Sequence, residues 1–176
     1  VIRNVTVNGP AQIGVEWYPD TNADLEKVSI QRSSDNIEYV NLTTYPIGLP
    51  IPVVDSYNDN SIATNAISFY YRIITIDSCD NQDTSGYAKS IVLKGNDNAN
   101  FTNTISWTGF EIQDGIVQEY RIYRDDGAGL VLINTVGAAI QTYTDDVAMF
   151  VNVIDEFCYQ IECLFRLNSP ENGVDE

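Results

Sequence analysis

The sequence predicts an all-β chain folded as two tandem β-sandwiches, and three observations carry that expectation. Aromatic content is 11%, with 11 Tyr, 6 Phe and 2 Trp beside abundant Val, Ile and Thr, a composition that packs well on pleated sheets. Apolar and polar residues alternate in period two through short segments bounded by Gly, Pro, Asn and Asp. Landmarks also recur about 90 residues apart in the same order. Trp17 in IGVEW matches Trp107 in NTISW, Arg32 in VSIQRSSD matches Arg124 in YRIYRDD, and FYYRIITID from Phe69 matches FCYQIECLF from Phe157. A chain of 176 residues with 44% hydrophobic content suffices for two cores of that size.

The stretch from Tyr120 to Asp146 shows the repeating unit most clearly. Tyr120, Ile122 and Arg124 share one face of a strand, Arg121 and Tyr123 the other. The turn DDGAG then leads to a second strand, Leu130 to Val136, and YTDD supplies a short third. In the first copy, strands are expected at Val5–Asn8, at Ile13–Trp17 with Ile13, Val15 and Trp17 inward, and at Glu26–Arg32 and Glu38–Thr43. The segment TYPIGLPIPVVD follows, where Pro46, Pro50 and Pro52 lack the N–H needed for edge pairing. Phe69, Tyr71, Ile73 and Thr75 share one face of a central strand. The loop DSCDNQDTSG leads to a last strand, Tyr87–Leu93.

These landmarks place a first domain at 1–94, a short polar linker at 95–100 and a second domain at 101–176. In the second copy, strands are expected near Ile105–Trp107, Val117–Arg124, Leu130–Val136, Gln141–Thr144 and Phe157–Leu164. A closing strand should come next, but FRLNSPENGVDE offers loop residues and no apolar alternation. A sandwich without its last strand exposes an unpaired edge and a slot in its core. The expectation is that the protein continues past Glu176 or that another chain donates the strand, with Val1–Asn8 the candidate donor.

Charge and composition narrow the function. Nine Lys+Arg stand against 25 Asp+Glu, a net charge of -16, so a phosphate backbone would be repelled and nucleic-acid binding is not expected. No apolar run approaches the roughly 18–20 residues that span a bilayer. Without histidine the commonest general base and most transition-metal sites are missing, and the carboxylates cluster in turns, so the chain is expected not to be an enzyme. No cofactor is expected unless Ca2+ binds. Asp77, Asp80, Asn81 and Asp83 lie in one loop and Asp55, Asp59 and Asn60 in another, supplying the oxygen ligands Ca2+ prefers, without the EF-hand spacing.

Trp17 and Trp107, on the inward parity of their strands, are expected as core anchors rather than sugar-stacking platforms. Tyr18, Tyr45 and Tyr57 are the aromatic contacts available to a carbohydrate or protein. Of the three cysteines, Cys158 and Cys163 lie five apart in one strand and face opposite ways, so they cannot pair with each other. Cys163 faces inward. Cys158 and Cys79 are the disulfide candidates, to each other or to a residue outside the chain.

The second-strand tryptophans, the VSIQRSS and YRIYRDD third strands and the aromatic YYRI and CYQI strands resemble tandem fibronectin type III modules. More narrowly, DSCDNQDTSG, NTISWTGFE and FCYQIE are similar to modules of large surface and secreted proteins of Bacteroidetes that use type IX secretion. The resemblance implies seven-stranded Ig-like sandwiches acting as spacers or binding platforms in exported proteins. Phe69 and Phe157 stand where that family places the tyrosine whose hydroxyl closes a corner onto the backbone, with Tyr70, Tyr71 and Tyr159 close by. The function expected is a structural or adhesive spacer of an extracellular or cell-surface protein, whose partners are neighbouring domains or subunits. The alternatives are a subunit of an extracellular filament or virion appendage completed by strand donation, and an accessory module that binds carbohydrate or protein.

Overall fold

The computed structural model describes residues 1–150 and 156–168, and among them the regular elements are all β-strands. The chain divides into two compact units. The first comprises Val1–Ile91, Phe110–Gly115 and Leu167–Glu176, and the second Val92–Gly109 and Ile116–Arg166.

The first unit contains β1 (Ile2–Gly9), β2 (Gln12–Trp17), β3 (Leu25–Ser33), β4 (Val40–Pro46), β5 (Asp55–Asp59), β6 (Tyr70–Asp77), β7 (Gln82–Thr84) and β8 (Ala88–Lys89). One sheet has the order β1-β2-β5. The other runs β4-β3-β6, with β7 and β8 both on the far side of β6. The alternation expected in β2 is present: Ile13 and Val15 are fully buried and Trp17 is 1% exposed. Val28, Ile30, Tyr71 and Ile73 of the second sheet are buried with them, each worth roughly 1.5–3 kcal/mol in apolar burial.

β5 had no signature in the sequence, because DSYND has the composition of a turn. It exists because β2 pairs with it antiparallel, from Ile13 opposite Asp59 to Trp17 opposite Asp55. The N-terminal segment is likewise committed within its own unit. β1 pairs antiparallel with β2, with Val5 opposite Val15, and Ile2 is 2% exposed. Val1–Asn8 is therefore not a free donor strand, since releasing it would expose Ile2 and Val5 and open β2.

The second unit contains β9 (Leu93–Asn98), β10 (Thr102–Trp107), β11 (Gly115–Asp125), β12 (Leu130–Gly137), β13 (Thr142–Asp146) and β14 (Cys158–Leu167). Its sheets have the orders β13-β10-β9 and β12-β11-β14. Most of the segment expected as a linker at 95–100 is therefore strand. β9 pairs antiparallel with β10 from Leu93 opposite Trp107 to Asn98 opposite Thr102. A polar stretch makes a strand here because backbone pairing, not apolar alternation, holds it. Asn98 Nδ2 also donates to Thr102 Oγ1 and Thr104 Oγ1, at 3.1 and 2.9 Å. Leu93 thus begins the first strand of the second unit, the expected strand Tyr87–Leu93 shrinks to β8, and β7 forms within the segment expected as the loop DSCDNQDTSG.

The parity expected around β11 is observed, with Tyr120 and Ile122 at 1% and 0% exposure. In the turn to β12, Asp125 Oδ1 accepts the N–H groups of Gly127 and Gly129, at 2.8 and 2.9 Å. Both glycines have positive φ, +92° and +111°, which only glycine adopts without strain. β14 ends its sheet, and among the described residues no strand pairs with its other side. Residues 169–176, expected as loop, lie outside the described residues.

Candidate functional site

Each unit holds an ion pair that bridges its two sheets, built from corresponding positions, with the aspartate buried and the arginine partly exposed. In the first, Arg32 of β3 donates through a terminal guanidinium nitrogen to Asp59 Oδ2 of β5 at 2.6 Å, and the Tyr71 hydroxyl of β6 donates to the same oxygen at 3.0 Å. Asp59 Oδ1 accepts the N–H and hydroxyl of Ser61 at 3.1 and 2.8 Å. The guanidinium lies over the Phe69 ring at 5.0 Å.

In the second unit Arg124 of β11 donates to both carboxylate oxygens of Asp145 on β13, at 3.1 and 2.9 Å. The Tyr159 hydroxyl of β14 donates to Asp145 Oδ2 at 2.8 Å and accepts from Asn103 Nδ2 at 2.9 Å. The Arg124 guanidinium lies 4.3 Å from the Phe150 ring centre and 5.7 Å from that of Phe157. Phe69 and Phe157, which lack the hydroxyl of a tyrosine corner, thus serve as platforms for the arginines. The hydroxyls of Tyr71 and Tyr159 reach a carboxylate across the sandwich.

The electrostatics follow from this geometry. Burial would raise the Asp59 carboxyl, but hydrogen bonds from Ser61, Arg32 and Tyr71 outweigh it and hold the carboxyl below its ordinary range. Burial, followed by the charge of Asp59 and its hydrogen bond, raises the Tyr71 phenol. Tyr159 is pushed up to about 12, chiefly by burial, and Asp145 adds to the rise. Every carboxylate oxygen of Asp59 and Asp145 accepts at least one hydrogen bond, so the two clusters are cross-sheet clasps.

The calcium candidates are also turned to local work. Asp77 Oδ1 accepts the N–H groups of Cys79 and Asn81, both at 2.8 Å, and Asp77 Oδ2 accepts Asn81 Nδ2 at 2.8 Å. Asp83 Oδ1 accepts the Thr84 N–H at 2.9 Å. Asp80, with φ of 62°, lies 3.7 Å from Lys27 Nζ. Of the second loop, Asp55 Oδ2 accepts the Tyr45 hydroxyl at 3.1 Å, and Asp59 is the buried clasp carboxylate rather than a loop ligand. Among the described residues no three His, Cys, Asp or Glu side chains gather as metal ligands. The loop 77–83 is a turn capped by Asp77.

Trp17 and Trp107 are core residues, at 1% and 5% exposure, and neither indole N–H meets an acceptor. The cysteines are free thiols, so the structure pairs neither Cys79 nor Cys158; both are exposed. Burial pushes the half-buried Cys163 up to about 12. The Tyr45 hydroxyl donates to Asp55 Oδ2 at 3.1 Å, and the Arg3 guanidinium lies 5.6 Å from the Tyr18 ring centre.

The second unit also contains a cavity of about 530 Å3 between β9 and the start of β14, lined by Gly95, Asp97, Phe101, Ile105, Phe157 and Tyr159 among others.

Three strands facing a second sheet in this order place each unit among the Ig-like β-sandwiches, with a fibronectin type III-like fold. No protein-family model matches the sequence, and no curated protein does. Among solved structures, the FN1–FN3 domains of chicken CNTN1 are similar at 10% identity, with a TM-score of 0.35, across 92% of this chain. The chain spans 60% of the length of that structure's chain.

Proposed function

We propose that this chain is a non-enzymatic structural or adhesive spacer of an exported cell-surface protein. The observation that carries the reading is that the charged pairs inside each sandwich, Arg32 with Asp59 and Arg124 with Asp145, hold its sheets together. The loop carboxylates that could have held a ligand cap their own backbone instead. A net charge of -16 keeps such a module soluble and discourages nonspecific adhesion. The resemblance to bacterial surface modules supports the location.

An antibody raised against residues 1–176 tests the reading on cells of the source organism. Labelling of intact cells is the expected result. Labelling only after permeabilisation would overturn the surface location, and turnover in a broad hydrolase screen that one Asp or Glu substitution abolishes would overturn the non-enzymatic role.

A further inference from the structure

Most cations of this acidic chain are paired: Arg3, Lys27, Arg32, Lys89, Arg121 and Arg124 each form an ion pair with a carboxylate. The described contacts of Arg72 differ in kind, because they are with neutral groups. Its guanidinium lies 3.8 Å from the ring centre of Tyr39, and its Nε donates to Gln31 Oε1 at 2.8 Å. Gln31 is the residue opposite Arg72 in the pairing of β3 with β6. The stack fixes the plane of the guanidinium and Gln31 fixes its rotation within that plane. The edge bearing the two terminal nitrogens is thereby held in one orientation.

Two further tyrosines adjoin this arginine. Tyr71 and Ile73 point into the core, so Tyr70 and Arg72 share the outer face of β6. The Tyr70 ring meets that of Tyr87 edge to face, with 5.5 Å between centres. Lys89, opposite Tyr70 in the β8 register, lies 5.2 Å from the Tyr70 ring centre and is paired with Glu111, whose Oε2 also accepts the Tyr70 hydroxyl at 3.3 Å. Burial raises the Tyr39 phenol, Arg72 lowers it, and Tyr87 and Tyr70 add to the rise, so the three phenols share a neighbourhood with one guanidinium. All three tyrosines are half-buried, and every residue of the cluster belongs to the first unit.

We propose that this face binds an acidic saccharide, with one uronate carboxylate on the Arg72 edge and the sugar rings against Tyr39, Tyr70 and Tyr87. The inference rests on the adhesive part of the function proposed above. An oriented guanidinium edge matches a carboxylate through two parallel N–H···O bonds, and aromatic rings offer the apolar surface that the C–H face of a pyranose covers. Two observations select a saccharide over an acidic peptide. β6 lies between β3 and the strands β7 and β8, so its backbone is used in pairing and cannot take an added strand. The cations are one arginine and a lysine that Glu111 already holds, not the arginine cluster that acidic peptide motifs use. A net charge of -16 repels anions at large, so the ligand's charge has to be sparse, one uronate among neutral sugars.

The test titrates the full chain, by NMR, with cellobiouronate and with cellobiose, two disaccharides that differ only in a carboxylate against a hydroxymethyl group. The expected result is that cellobiouronate binds at least about tenfold more tightly. It should shift the ring resonances of Tyr39, Tyr70 and Tyr87 and leave those of Tyr18, Tyr45 and Tyr57 unmoved. Arg72→Gln should abolish the preference. Arg72→Lys should restore only part of it, because lysine keeps the charge without the fork. Added salt should narrow the preference. Amide spectra of both variants, unchanged away from the site, show that the fold is kept.

Equal affinities for the two disaccharides, or a preference that Arg72→Gln leaves unchanged, would overturn the carboxylate site. If neither sugar binds while a peptide carrying one glutamate shifts the same three tyrosines, the ligand class is wrong and the face reads acidic peptides. If none of the three binds, the face is not a ligand site. That last result would leave the spacer reading standing wherever the antibody labels intact cells, so the two proposals fail separately.

Discussion

The two clasps share their chemistry and differ in shelter. In the first unit Asp59 is 1% exposed and Tyr71 fully buried, beneath a sheet that β7 and β8 close beyond β6. In the second, Asp145 is 4% exposed, and Tyr159 is only half-buried on a strand whose outer side meets no other strand among the described residues. The aspartates and tyrosines therefore differ in shelter in the same direction, while the arginines differ the other way, the Arg32 side chain being 21% exposed and that of Arg124 11%. An ion pair gains strength as water is excluded, and the cost of leaving one of its partners unpaired rises in step.

The largest expected effect is at Asp59. Asp59→Ala leaves the partly buried Arg32 guanidinium without its counterion and the fully buried Tyr71 hydroxyl without its acceptor, and should destabilise the first unit by about 3 kcal/mol. Asp145→Ala should cost the second unit less, about 1–3 kcal/mol, because the tyrosine it strands, Tyr159, is only half-buried. The two tryptophans fall one in each unit, so urea unfolding followed in Trp17→Phe and Trp107→Phe backgrounds separates the transitions. Equal costs at the two aspartates would break the comparison.

A smaller difference should separate the tyrosines. Tyr71→Phe removes a buried hydrogen bond to a charged acceptor, at about 1.5–3 kcal/mol, and Tyr159→Phe should cost about 1 kcal/mol. Equal costs at the two tyrosines would break the comparison.

pH should separate the units as well. The Asp59 carboxyl lies below its ordinary value when folded, so it contributes stability above the unfolded pKa near 4. That contribution is lost as pH falls through the folded value, and Asp59→Asn should flatten the acid limb of the first unit's stability curve. Tyr159 is raised to about 12, so its contribution is present below pH 10 and lost as pH climbs toward 12. Phenolate absorbance in the wild type and Tyr159→Phe checks this. A Tyr159 that ionises at the ordinary value would show that its bond to Asp145 does not persist in solution.

The smallest effect lies in the turn before β12. Gly127→Ala places a Cβ on a residue with φ of +92° and should cost roughly 1–2 kcal/mol, read as a lower Tm of the second unit alone.

Much of the architecture was legible before any coordinates. Period-two alternation assigned the inward faces of β2 and β11, and the repeat paired Trp17 with Trp107 and Arg32 with Arg124. The clasps were half visible, because their arginines and the phenylalanines beneath them recurred at the repeat spacing. Their carboxylates were not singled out as partners. Asp59 stood in DSYND, a stretch with turn composition, and was grouped with calcium candidates. Asp145 stood in YTDD, read as strand running into turn. The repeat spacing relates Asp59 to Asp145 as well, and adding that pair to the landmarks was the signal available.

The residue pattern by itself determined which alternating segments became strands and which of their residues face inward, because side-chain alternation is a local property of an extended backbone. Only the tertiary structure decided which of 25 acidic residues became buried counterions and which polar stretch became β9. Those outcomes depend on strands of opposite sheets crossing the core at one point, Arg32 meeting Asp59 and Arg124 meeting Asp145. A carboxylate in a turn and one at the end of a paired strand look alike in sequence. They differ only once the second sheet closes over one of them and removes its water.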